Sequence, residues 1–191
     1  MKKLILSALT VSALAGCSMT PTTPKAPTPE TVDAIQSWQT EGRVGIRTEN
    51  DAISGNFYWD YGPDQYELNI YGPFGQGATR LQGTPNKVAQ LTYDDKTVVG
   101  KNAEDLLFDE LGWQFPVNQV RYWIRGLPSP KSYANIQYDI DGKTPTQITQ
   151  DNWTVTYREF TEIDNLKLPQ RMQVTRLPYR VNLIITRWNV Q

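Results

Sequence analysis

Few side chains in this sequence could do chemistry. Cys17 is the only thiol in 191 residues, and there is no histidine. Histidine is the commonest acid–base group near neutral pH and the commonest metal ligand, so a zinc site and a thiol–imidazole pair are both disfavoured. Carboxylates remain. Asp60, Asp64, Asp94 and Asp95 lie near turn signals, as do Asp139 and Asp141, and they read as solvated turn residues. Asp94-Asp95 lacks the dense acidic loop that calcium requires. Ser54 has no base partner, and no G-x-S-x-G is present. The run Gly72-Pro73-Phe74-Gly75-Gln76-Gly77 suggests a phosphate cradle. No Lys-Ser/Thr follows it, however, and it falls between strand patterns rather than before a helix. The residues point to a protein that is not an enzyme and needs neither cofactor nor metal.

Cys17 acquires meaning from what precedes it. Lys2 and Lys3 are followed by an apolar run, Leu4 to Leu14, and then by small residues. That order is a secretory signal, and the run is too short to cross a bilayer, which takes roughly 20 apolar residues. Leu14-Ala15-Gly16-Cys17 resembles the lipobox of bacterial lipoproteins. The resemblance implies that the thiol takes a diacylglycerol, that residues 1–16 are removed, and that the new amino group is acylated. It also reads Ser18 as an outer-membrane address, where aspartate would favour the inner membrane. Several acyl chains hold a protein firmly, at about 0.8 kcal/mol per buried methylene. A single cysteine in a secreted chain forms no internal disulfide and needs another explanation; lipidation supplies one.

The chain divides into a signal peptide (1–16), a lipidated N-terminus and flexible tether (17–30), and one folded domain (31–191). The tether sequence MTPTTPKAPTPE is rich in proline and threonine and reads as an extended spacer. Losing Lys2 and Lys3 takes the formal charge from −1 to about −3. There is no basic excess to suit nucleic acid and no polybasic patch beside the anchor.

The domain reads mostly as short strands. Trp38, Thr40, Gly42, Val44 and Ile46 alternate with polar residues, the period of a half-buried strand. Phe57, Trp59 and Tyr61 share a face, Gly62-Pro63-Asp64 turns the chain, and Tyr66, Leu68 and Ile70 share the next face. Further strands are expected over 78–83, 88–93 and 96–99. The period then becomes helical over Ala103 to Leu111, with Asn102 as N-cap and Gly112 as stop. A second helix is expected over Pro116 to Ile124, with proline at its first position. Strands resume over 135–140, 146–150, 153–159, 168–175 and 180–188, with Asp141-Gly142 and Asp151-Asn152 as tight turns. The pattern is mainly β (α+β), about eleven antiparallel strands suggesting a curved, incomplete barrel with helices covering its mouth or concave side.

Six tryptophans and ten tyrosines exceed what a core of this size needs and suit a ring-lined cavity. Phe74 stands out differently, as a large apolar group at the centre of a glycine-rich connection, where polar residues are usual.

Several runs together carry a family resemblance. They are Gly42-Arg43-Val44-Gly45-Ile46, Ser54-Gly55-Asn56-Phe57-Tyr58-Trp59, the Gly72–Gly77 loop, Leu111-Gly112-Trp113, Pro116-Val117 and Tyr122-Trp123-Ile124-Arg125-Gly126-Leu127-Pro128. Across the whole expected mature chain the sequence resembles the LolB family of outer-membrane lipoprotein receptors. The resemblance implies an eleven-stranded half-open barrel with helices over an apolar cavity. It implies a monomer, lipid-anchored on the periplasmic face of the outer membrane. Such a receptor accepts acylated lipoprotein cargo from the periplasmic carrier LolA and inserts it among outer-membrane lipids. The family's membrane-insertion loop maps to Pro73, Phe74 and Gly75, with Phe74 where other members often have leucine. Strand and helix alternation supplies the expected acyl-chain cavity: Trp38, Val44, Ile46, Phe57, Trp59, Tyr66, Leu68, Ile70, Leu81, Leu106, Trp123, Ile124, Val155, Tyr157, Leu183 and Ile185. A strand read in the wrong phase would move its whole set to the other face. Arg125, after two apolar helical residues, is expected to tie the lid down through a carboxylate or carbonyl. Two other functions fit the same residues: an outer-membrane lipoprotein that binds a lipid or hydrophobic ligand without transferring it, or an envelope scaffold whose rings are only core.

Overall fold

The computed structural model describes residues 29–72, 75 and 77–191. Cys17, the signal peptide and most of the tether lie outside the described residues, as do Pro73 and Phe74. After a 3-10 turn at Val32–Ala34, the strands are β1 (Trp38–Arg47), β2 (Ala52–Tyr61), β3 (Tyr66–Tyr71), β4 (Thr79–Gly83), β5 (Ala89–Tyr93) and β6 (Lys96–Gly100). The helices α1 (Ala103–Leu111) and α2 (Val117–Trp123) follow. Then come β7 (Ala134–Tyr138), β8 (Pro145–Gln150), β9 (Trp153–Ile163), β10 (Leu166–Arg176) and β11 (Tyr179–Val190).

All eleven strands form one sheet in the order β6-β5-β4-β3-β2-β1-β11-β10-β9-β8-β7. Every pairing is antiparallel. The first and last strands pair with each other at the middle of the sheet, while β6 and β7 are the two free edges. The helices are the chain between those edges, so the topology itself places them over the opening. The incomplete barrel is therefore open where the helices sit.

Alternation produces the curved inner face. In β1 the buried positions are Trp38, Thr40, Gly42 and Val44; in β2, Phe57 and Trp59; in β11, Val181, Leu183, Ile185, Trp188 and Val190. Gly42 is required by a close approach. A register shift falls between Glu41 and Gly42, and a Cβ on Gly42 would lie 2.0 Å from the Ile184 carbonyl oxygen. Such bulges bend strands and increase twist, which curls a flat sheet toward a barrel. A second shift in β10 follows Pro169, which has no N–H for the ladder.

The C-terminal strands are longer than their alternation suggests. Strands β9 and β10 run to and from a turn at Asp164 (φ 47°) and Asn165 (φ 72°). Asn and Asp tolerate that left-handed conformation. Helix α1 has the expected caps: Asn102 accepts from the Asp105 N–H at 2.8 Å, and Gly112 (φ 66°) donates to the Phe108 carbonyl at 2.9 Å. Helix α2 is shorter by a residue at each end than the expected 116–124; Pro116 is its N-cap rather than its first helical residue. Its cap comes from the neighbouring helix. The Glu104 carboxylate accepts from the Asn118 N–H at 2.8 Å and from the Asn118 side chain at 2.8 and 2.9 Å.

Candidate functional site: an apolar cavity beneath the helices

The inner face of the sheet and the undersides of both helices enclose a cavity. Val44 and Ile46 of β1, Phe57 and Trp59 of β2, Leu68 and Ile70 of β3, Leu81 of β4, and Val181 and Leu183 of β11 form its sheet wall. Leu107 and Val120 reach it from the helices, and Trp153 from β9. The void holds about 50 Å³, room for one or two molecules of water's size at about 30 Å³ each. An acyl chain needs several times that. The cavity is closed down, and a ligand enters only if the walls part.

The helical cover is firmly held at α2. The Trp123 indole donates to Gln150 Oε1 at 2.8 Å, and Tyr157 donates its hydroxyl proton to the Trp123 carbonyl at 2.7 Å. Gln150, almost fully buried, also accepts from the Ser129 N–H at 2.9 Å and donates to the Ser129 and Ser132 carbonyls at 2.7 and 2.9 Å. Burial alone pushes the Tyr157 hydroxyl well above its usual range. Arg125 donates to the carbonyls of Ile35 at 2.8 Å and Val32 at 3.4 Å. These two carbonyls lie in the lead-in before β1, a third, of Arg121 in α2, accepts from the Arg125 Nε at 3.3 Å, and burial pulls the Arg125 pKa down. Arg121 donates to the Tyr61 hydroxyl at 2.8 Å and lies over the rings of Tyr61 and Tyr122, an arrangement that attracts a cation to a ring face. Tyr61 in turn stacks on Trp38, whose ring meets those of Trp59 and Trp188 edge-on. This aromatic and guanidinium packing fills the end of the half-barrel opposite the mouth.

The mouth is built differently. Arg47 and Thr48 at the end of β1 and Tyr179 at the start of β11 line it, together with the α1–α2 connector through Trp113, Gln114 and Phe115. Among the described residues one side-chain hydrogen bond fixes that connector to a strand: Arg176 donates to Gln114 Oε1 at 2.8 Å while its guanidinium covers the Trp153 ring at 4.4 Å. Ile70 and Thr79 pair across β3 and β4 and both line the cavity. They are the two roots of the 72–78 connection, so that glycine-rich loop leaves the fold at the mouth. Within it Gly75 (φ 76°) and Gly77 (φ 60°) take backbone conformations that favour glycine.

Of the sixteen residues expected to form the cavity, Val44, Ile46, Phe57, Trp59, Leu68, Ile70, Leu81 and Leu183 line the void. The structure places Trp38, Tyr66, Leu106, Trp123, Ile124, Val155, Tyr157 and Ile185 in the surrounding core cluster, outside that lining. Their burial follows the alternation, but the cavity is shorter than the inner face. Ile185 shares a face with Leu183 yet pairs with Gly42, toward the filled end. Burial also pushes the Tyr66 hydroxyl up to about 12. The lining residues not anticipated are chiefly Leu107, Trp113, Phe115, Val120, Trp153, Tyr179 and Val181. Trp113 and Phe115 lie in a loop, where no periodicity marks them.

The chain is of the class of half-open antiparallel barrels with an apolar pocket under a helical cover. A LolA superfamily protein from Nitrosomonas europaea has the same fold, with a TM-score of 0.52, 9% identity, and 82% of this chain and 86% of that one covered. The family is more specific. Residues 36–188 match the family described as outer membrane lipoprotein LolB. The outer-membrane lipoprotein LolB of a Marinomonas species is 55% identical over 178 residues, covering 93% of both chains. That of Chromohalobacter salexigens is 34% identical, covering 97% of this chain and 89% of its own. The chain belongs to the LolB family of outer-membrane lipoproteins.

Proposed function

We infer that this protein accepts acylated lipoproteins from the periplasmic carrier LolA and delivers them into the outer membrane, itself held there by acyl chains on Cys17. The observation that carries this reading is the apolar cavity whose mouth lies between the roots of the 72–78 loop and the α1–α2 connector. Acyl chains are costly to expose to water, so cargo has to pass from one covered site to another. Mouth-to-mouth passage needs no nucleotide if the receiving cavity binds better, and 1.4 kcal/mol gives tenfold directionality. The closed void requires an opening step, and the lightly fixed connector 112–116 is the part placed to swing. Phe74, in the loop at the mouth, then disturbs lipid packing so that the bilayer competes with the cavity for the chains.

Acyl uptake tests the cavity directly. Ile70→Phe places a larger side chain at the mouth without a new polar group. It should fold, and should lower acceptance of labelled lipoprotein from the carrier by roughly tenfold, the effect of losing about 1.4 kcal/mol of binding. Parent-like acceptance by the folded variant would mean that the chains bind elsewhere.

A further inference from the structure

The end of the half-barrel where the cavity opens brings two arginines together. Arg47, the last residue of β1, lies directly opposite Arg180 of β11, and both are exposed. Like charges directly opposite across strands are destabilising. Three arginines of the sheet are paired with acids, Arg80 with Glu67 at 2.5 Å, Arg171 with Glu159 at 3.4 Å and Arg187 with Glu41 at 3.3 Å; what sets Arg47 and Arg180 apart is that they face each other. Among the described residues no ion pair joins Arg47 or Arg180 to a carboxylate. The nearest acids in the chain, Glu49 and Asp51, sit in the β1–β2 turn, where Asp51 accepts from the Ala52 N–H at 2.7 Å. Beside the arginine pair, the β10–β11 turn presents Leu177, 80% exposed, one residue past Arg176 and two before Tyr179 at the mouth.

The opposite end differs. The depression at the β2–β3 and β4–β5 turns is lined by Asp60 and Asp64, and by Glu67, which Arg80 answers; among the described residues its lining includes no lysine or arginine. The length of β1 separates the two ends by about 30 Å. A charge asymmetry of this kind orients a protein in an external field.

We propose that this rim is a membrane-docking surface: Arg47 and Arg180 take up the phosphates of an anionic phospholipid while Leu177 enters the interfacial layer, so that the cavity faces the bilayer. The proposal rests on the delivery function above and names the surface that presents the mouth. A bilayer fits better than a protein groove because the feature is a convex turn with one apolar tip. The chain also permits it. The described residues begin at Pro29, toward the far end, and the dozen residues from Cys17 can span at most about 40 Å. That exceeds the length of β1, so an anchored domain can turn its mouth to the membrane. Two arginines at an anionic surface favour the docked orientation by roughly thirtyfold.

The test uses the full chain, reconstituted in vesicles without cargo, with an environment-sensitive fluorophore on Leu177→Cys and the parent chain as the labelling blank. In vesicles with about 30 mol% phosphatidylglycerol the fluorophore should be quenched by brominated lipid. In phosphatidylcholine alone, the ratio of docked to undocked protein should fall roughly tenfold or more. Arg47→Gln with Arg180→Gln should lower it equally in the anionic vesicles. So should about 0.5 M salt with both arginines present, a control that no folding defect can mimic. Quenching indifferent to lipid charge, arginines and salt overturns the proposal. So does a result in which the arginine changes leave quenching intact and instead impair acceptance from the carrier, since the rim would then face a protein. No cargo is present, so this readout and the transfer reaction can fail separately.

Discussion

Gln150 is the residue on which the helical cover depends most. Its amide answers the Trp123 indole, the Ser129 N–H and two carbonyls in one buried site. Gln150→Leu would leave those groups without partners. A loss of about 3 kcal/mol is expected, read as a lower urea midpoint at unchanged slope; a loss within about 0.5 kcal/mol would show that water replaces the amide. Phe74 answers to a different assay. If its ring meets lipid, Phe74→Glu should fold and accept cargo normally yet slow delivery into liposomes by at least roughly tenfold, because a charge resists entering the apolar layer. Delivery at the parent rate would exclude the ring as the insertion group. The two residues also differ in how visible they are. Phe74 stands out in the sequence by type and place. Gln150 looks like any polar strand residue, because its partners are far away in the chain.

Among the elements, the strands that alternate cleanly were readable from the chain, and the bulges were not. In β1 every second residue from Trp38 to Val44 is buried, so phase and face follow from residue type. The shift at Gly42 depends on the Ile184 carbonyl in a strand more than 140 residues later, and no local signal reports it. Gly42→Ala puts its new carbon against that carbonyl and should cost about 2–3 kcal/mol; a neutral substitution would mean that the bulge relaxes freely. The cavity boundary was hidden for a related reason. Alternation predicts which face is buried, but the filling of one end by Trp38, Trp59, Tyr61 and Trp188 is a matter of packing between strands. The α1–α2 connector offers an opposite kind of test. Arg176→Ala removes the bond to Gln114 and the ring contact with Trp153, together about 0.5–1 kcal/mol at a partly exposed site. The open state should gain population and acyl uptake should quicken about threefold. Slower uptake would argue that Arg176 guides the ligand rather than holding the connector.

At the scale of the whole molecule, stability should respond to pH only at the extremes. With no histidine, no side chain of ordinary pKa titrates between about pH 5 and 8. Burial pushes Tyr66 up to about 12 and holds Tyr157 well above its usual range. The unfolded chain releases those protons near pH 10, so their contribution is complete below about 10 and is lost as the pH rises toward 12. At the acid end Asp141 is held well below the usual carboxylate range, first by the Thr144 hydroxyl and then by the Thr144 and Lys143 N–H groups. Its contribution is present above the carboxylate range and fades as the pH falls. Thermal melts should therefore be flat from about pH 5 to 9 and fall above 10; a break near pH 6.5 would contradict this assignment. The same economy of titrating groups suits a protein that works by packing alone. On the proposed function the anchor sets place, the cavity covers the cargo's chains, and the 72–78 loop is the part that meets lipid. The most direct measurement incubates LolA carrying labelled lipoprotein with this protein and liposomes and follows the label over time. The account predicts that the label leaves the carrier, appears briefly on this protein and accumulates in the liposomes. Label that stays on the carrier, or that reaches this protein and goes no further, would contradict it.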